Sequence, residues 1–127
     1  MGSKKKHINV VSEIKAEGFV ISDLSFVYTT VVELVCRDMK IMNAKFDNSQ
    51  MYCCSFVNIE FVNVSFKQAT FKNEDDEETL FENVTFENCT FDDTIFHHTK
   101  FINCKGLKKM QDEGAIFIDV EIEHKRA

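Results

Sequence analysis

Residues 81–101 read FENVTFENCTFDDTIFHHTKF, and a phenylalanine stands at every fifth position: Phe81, Phe86, Phe91, Phe96 and Phe101. That spacing matches neither the ~3.6 residues of a helical turn nor the two-residue alternation of a strand. Followed backwards by fives, the series runs through Phe71, Phe66, Phe61, Phe56, Met51, Phe46, Ile41, Cys36, Val31 and Phe26 to Ile21, and it breaks only at Asp76. A second series stands two residues before the first. From Ala44 onward it is mostly small or β-branched, as at Ser49, Cys54, Val64, Ala69, Val84, Cys89, Thr94 and Cys104. Residues two apart on a strand face the same way. One large and one small inward residue in every five therefore describe a chain wound tightly about a narrow apolar core. The other positions, mainly Asn, Asp, Glu, Lys, Ser and Thr, face outward.

The totals agree with a wound chain. A length of 127 residues bounds one domain. There is no proline and there are only four glycines, so a repeated backbone geometry has to make the corners. No apolar run reaches the ~18 residues of a membrane span, and no secretory signal opens the chain. Met1-Gly2-Ser3 reads as an expression start, so the natural protein is expected to extend in either direction. The net charge of −6, with acid densest in NEDDEE at residues 73–78, sets aside nucleic-acid binding through phosphate contacts. Five cysteines are an odd number, so at least one stays outside any disulfide within the chain.

The double series, large residue and small residue in phase over residues 19–105, resembles the pentapeptide-repeat family. That resemblance implies an all-β fold, a right-handed quadrilateral β-helix with one five-residue side per repeat. Residues 1–18 are then an N-terminal tail and cap, and 106–127 a C-terminal cap that protects the open end. With four sides to a coil, residues twenty apart stack at the ~4.8 Å spacing of paired strands. One expected ladder is Phe26, Phe46, Phe66 and Phe86; another is Ile41, Phe61, Phe81 and Phe101; Asn43, Asn63, Asn83 and Asn103 form an outer corner ladder. Burying unpaired carboxylates is costly. The stretch 73–78 therefore reads as a solvated acidic loop bulging outward, with the repeat resuming at Thr79 and Phe81. A recognition or cation-binding loop is the alternative. Residues 105–114, KGLKKMQDEG, are polar enough for a short helix or loop. Beyond them, alternation predicts a half-buried strand with Ile116, Ile118, Val120 and Ile122 inward and Phe117, Asp119, Glu121 and Glu123 outward.

Catalytic constellations are hard to find, and the chain reads as a non-enzyme with no metal and no cofactor. His97 and His98 fall at outward positions and read as a surface pair rather than a metal site. Cys54, Cys89 and Cys104 fall at the small inward position, where thiols are inert, Cys36 falls at the large one, and only Cys53 points outward. A Cys36–Cys54 disulfide is the lesser reading, because the two share a side but are offset along it by two residues. Three sequons, at Asn63, Asn83 and Asn88, offer N-glycosylation sites in a secreted or luminal setting. The repeat itself also favours Asn two residues after Phe.

The run FENCTFDDTIF resembles the fourth luminal domain of the synaptic vesicle glycoprotein 2 family. This resemblance implies a luminal binding module on the synaptic vesicle membrane, exposed at the cell surface and anchored only through segments absent from this chain. It also implies a receptor surface for botulinum neurotoxin type A, which adds a strand to an open edge and contacts an N-linked glycan. Carried over, Asn88 bears the sugar, and Asn88 and Phe91 lie at the partner contact. The competing reading is a cytoplasmic pentapeptide-repeat interaction rod, of which some members mimic duplex DNA through an acidic surface. Mimicry needs charge spread along the solenoid, whereas here most of the excess acid sits in one loop.

Overall fold

The computed structural model describes residues 9–72 and 78–125. Its order is β1 (Asn9–Glu17), β2 (Val20–Ser22), β3 (Thr29–Met42), β4 (Gln50–Tyr52), β5 (Ser55–Val62), β6 (Thr70–Lys72), β7 (Thr79–Glu87), β8 (Ile95–His97), β9 (Thr99–Ile102), α1 (Leu107–Asp112), β10 (Ile116–Ile118) and β11 (Glu121–Glu123). Every strand pairing is parallel and joins one coil to the next. The fold is an all-β quadrilateral solenoid, as the resemblance to pentapeptide-repeat proteins implies. It is longer than the expected 19–105: β1 already pairs in register with β3, Val11 on Val31 and Ala16 on Cys36.

Four inward columns follow from the registers. Face A stacks Val31, Met51, Phe71, Phe96 and Phe117. Face B stacks Ala16, Cys36, Phe56, Phe81, Phe101 and Ile122. Face C stacks Ile21, Ile41, Phe61 and Phe86. Face D carries Phe26, Phe46, Phe66 and Phe91 beside the bridges Ser25–Lys45, Lys45–Ser65 and Ser65–Thr90. Rings one coil apart lie nearly flat on each other: Phe71 on Phe96 at 5.0 Å and 5°, Phe46 on Phe66 at 5.1 Å and 5°. Such pairs contribute about 0.5–1.5 kcal/mol each beyond the apolar area they bury. At the small inward position, Ser49 and Thr94 donate their hydroxyls to the carbonyls of Phe46 and Phe66, and among the described residues no buried side-chain polar atom is left unsatisfied.

Two expected ladders are corrected. Up to Phe71 the step between coils is twenty residues, but Phe56 pairs with Phe81 and Phe61 with Phe86, a step of twenty-five. Phe66 therefore stacks on Phe91, at 5.4 Å and 6°, not on Phe86. Phe61 stacks on Phe86 rather than Phe81. Two residues separate Tyr52 from Ser55, whereas seven separate their partners Lys72 and Leu80. The repeat does resume at Thr79 and Phe81, both fully buried. Residues 73–77 of the acidic stretch lie outside the described residues, and Glu78 is exposed.

The corners answer the shortage of glycine and proline. At the second position after each large inward residue the backbone turns left-handed, as at Asp38, Asn43, Asn58, Asn63, Asn83, Asn88 and Asn103, with φ between 52° and 57°. Asn and Asp tolerate this region better than other side-chain-bearing residues. Glu33, Cys53, Gln68 and His98 occupy it too.

The C-terminal end is capped by α1, whose Leu107 and Met110 share one side and pack on the core; Met110 is buried. The helix closes at Gly114, where φ is 111° and a Cβ would stand 3.2 Å from Asp92 Cα, so glycine is required. Beyond it the expected half-buried strand is corrected. Phe117 points inward, stacking on Phe101 at 5.3 Å, while Ile116 and Ile118 are exposed; Ile122 keeps the inward register over Phe101 but, at the end of its column, is 49% exposed. A left-handed corner at Asp119, φ 53°, divides the segment into β10 and β11. Two more five-residue sides, with Ala115 and Val120 at the small inward position, replace one alternating strand.

Candidate functional site: corner ladders and the open N-terminal coil

Each corner column is a potential ladder of polar side chains, because the coil spacing of ~4.8 Å brings equivalent residues within hydrogen-bonding reach. Asn63 donates its Nδ2 to Asn43 Oδ1 at 3.2 Å, and Asn88 donates to Asn63. On the neighbouring corner, Asn58 donates to Asp38 at 2.8 Å and Asn83 to Asn58 at 3.0 Å. The single column expected from Asn43, Asn63, Asn83 and Asn103 is therefore two columns. The longer fourth coil places Asn88, not Asn83, over Asn63.

All three sequon asparagines, Asn63, Asn83 and Asn88, are exposed at these corners. The nitrogen that would carry a sugar is in each case a ladder donor. An amide nitrogen has two hydrogens, so one can serve the ladder while the other position is substituted. Phe91, expected at a partner contact, is only 2% exposed, and its ring is stacked on Phe66. Its column position puts it in the core, so it is unavailable to a partner. Asn88 instead borders the capping helix, sharing a small cleft with Lys109 and Glu113.

No disulfide joins the five cysteines. Burial pushes the Cys54 thiol up to about 12 and the Cys36 and Cys89 thiols up to about 11, and raises Cys104 as well. Such thiols are poor nucleophiles and poor metal ligands at neutral pH. The outward faces mix charges. Face D alone presents Lys45, Asp47, Lys67 and Asp92, so no unbroken acidic stripe runs along it.

The two ends of the rod differ. At the C-terminal end α1 covers the tops of faces C and D. At the N-terminal end β1 and β2 pair only with β3 among the described residues, leaving their outer backbone edge unpaired. The core behind that edge, formed by Ile14, Ala16, Ile21, Leu24 and Phe26, is only partly buried. Phe19 and Val20 beside it are 46% and 64% exposed. Neither the edge nor its partly open core was legible from the repeat, which treats every coil alike. His97 and His98, read as a surface pair, do lie at the surface, but the fold adds Asp119 to them.

No family model matches the sequence, and no curated protein matches it. Among solved structures, the chain is similar to QnrB1, a plasmid-mediated fluoroquinolone resistance protein, at 13% identity and a TM-score of 0.39, covering 90% of this chain and 67% of that one. It is also similar to the pentapeptide repeat protein Rfr23 from the cyanobacterium Cyanothece 51142, at 4% identity and a TM-score of 0.30, covering 91% and 85%. Likeness this distant carries no functional argument. The solenoid rests on its own registers. Nothing in these comparisons ties the chain to the synaptic vesicle glycoprotein 2 family. No helix among the described residues is long and apolar enough to cross a membrane.

Proposed function

We propose that this chain is a non-enzymatic protein-interaction module that takes a partner's strand onto the open edge of its N-terminal coil. The observation that carries the reading is the contrast between the two ends: a capping helix over the last full coil and, on the first, a partly apolar edge that no described residue pairs with. An exposed strand edge is a row of unmet donors and acceptors that templates pairing, while flanking apolar side chains supply affinity. Burial holds the inward thiols protonated at neutral pH, which supports a binding reading for them rather than a nucleophilic one. Edge docking does not depend on compartment or on a glycan. Asn88 lies three coils from that edge, roughly 14 Å at the strand spacing, so a sugar there and a strand at the edge are separable features.

Backbone direction supplies a clean test. In the parallel register Val20↔Lys40, Lys40 donates to the Phe19 carbonyl, so the N–H of Val20 itself points away from β3, towards the open edge. Val20→Pro removes that donor without touching a bond inside the solenoid. Affinity capture with the full chain, quantified by mass spectrometry, is expected to retain a partner on wild type and on the face variant Lys67→Glu and to lose it on Val20→Pro. Retention undiminished by Val20→Pro overturns edge docking.

A further inference from the structure

We propose that His97, His98 and Asp119 form a three-ligand site for a divalent transition-metal ion of the zinc type, clamping the fifth coil to the C-terminal cap. Neighbouring residues on a strand normally point to opposite sides. Here His98 sits at a left-handed corner, φ 54°, and the turn brings its ring to 4.3 Å from that of His97. Asp119 occupies the equivalent corner one coil on, also left-handed at φ 53°. The backbone fixes this arrangement: His98 N–H donates to the Ile118 carbonyl at 3.0 Å, and His97 pairs with Ile118 in the β8–β10 ladder. Nε2 of each histidine lies 3.9 Å from Asp119 Oδ2, and one ligand atom from each of the three residues lies within 4.8 Å of the others.

The donor set and its spacing suit a metal better than they suit an ion pair alone. Two imidazoles and a carboxylate favour zinc, nickel or copper over calcium or magnesium, which prefer all-oxygen shells. Bonds of about 2.0–2.2 Å to a tetrahedral ion set ligand atoms some 3.3–3.5 Å apart, about half an ångström closer than either histidine stands to Asp119 here. Exposed side chains close that distance by small torsions, and all three are at least one-third exposed. A fourth position is left open to solvent. An exposed His–Asp pair contributes little to stability alone. A metal shared by two coils would tie β8 to β10 and hold the terminal sides down.

The corner geometry supplies variants that keep the fold. Asn accepts the left-handed region, so His98→Asn and Asp119→Asn remove a ligand but preserve the turn. Metal-free full-length protein is titrated with Zn2+ alone by calorimetry, and its thermal unfolding is recorded with and without the ion. The expected result is one Zn2+ per chain and a raised melting temperature. Affinity should fall at least tenfold in each variant, with the melting shift abolished and the circular dichroism unchanged. Absence of binding by wild type up to millimolar Zn2+ overturns the proposal. So does binding that is unmoved by both substitutions, or that is lost instead in Cys53→Ser.

Discussion

At the scale of the residue, the corner decides how this chain turns. From Glu13 to Gln68 and from Asn83 to Asn103 every fifth residue adopts positive φ, a conformation that costs ordinary L-residues about 1–2 kcal/mol and that Asn adopts more readily. The series of asparagines two after phenylalanine was visible in the sequence, but only the backbone shows that it is a conformational requirement. It also shows where the requirement is poorly met. Gln68, φ 57°, stands in a column between Asn48 and Asp93, and it is exposed. Gln68→Asn is therefore expected to raise stability by up to about 1 kcal/mol, read as a higher urea midpoint with an unchanged slope. A lowered midpoint would show that the glutamine side chain contributes more than its backbone strain removes.

At the scale of the element, the acidic stretch is the informative departure. An insertion of five residues keeps the five-residue phase intact, so inward and outward positions continue as though nothing had happened. It nevertheless rotates every later repeat by one face. That is why the phase across Asp76 was legible and the stacking partners of Phe66 and Asn63 were not. The registers make residues 73–77 surplus to the four sides. Without them Glu78 would follow Lys72 and take the corner that Glu33 and Cys53 hold in earlier coils. Deleting 73–77 is expected to leave the circular dichroism spectrum unchanged and the unfolding free energy within about 1 kcal/mol, since loop closure depends weakly on length. A loss of several kcal/mol in urea unfolding would mean that the segment forms part of a side.

At the scale of the whole molecule, stacking coils create an apolar core that is closed through the middle coils and only partly buried at the first, and the thiols report it. Burial raises Cys36, Cys54, Cys89 and Cys104 in the folded state, whereas unfolded thiols ionise near ~8.5. A group raised on folding lends its full contribution below the unfolded value and loses it as pH climbs towards the folded one. The stability advantage of wild type over Cys54→Ala should therefore be constant up to about pH 8.5 and then shrink by at most ~1.4 kcal/mol per pH unit. Urea unfolding at pH 8 and pH 10.5 measures it, and a difference independent of pH would place Cys54 in contact with water. The sequence by itself determined the solenoid and the inward positions of its repeat phenylalanines and of Cys36, Cys54, Cys89 and Cys104, because these depend on a local period that each repeat states anew. The tertiary structure alone decided which coil lies on which, that Phe117 rather than Ile116 and Ile118 faces the core, and that Asp119 meets His97 and His98. It also decided that, among the described residues, nothing pairs with the outer edge of the first coil while α1 covers the last full coil. These depend on how many residues separate equivalent sides and on where stacking stops, and a five-residue period carries neither quantity.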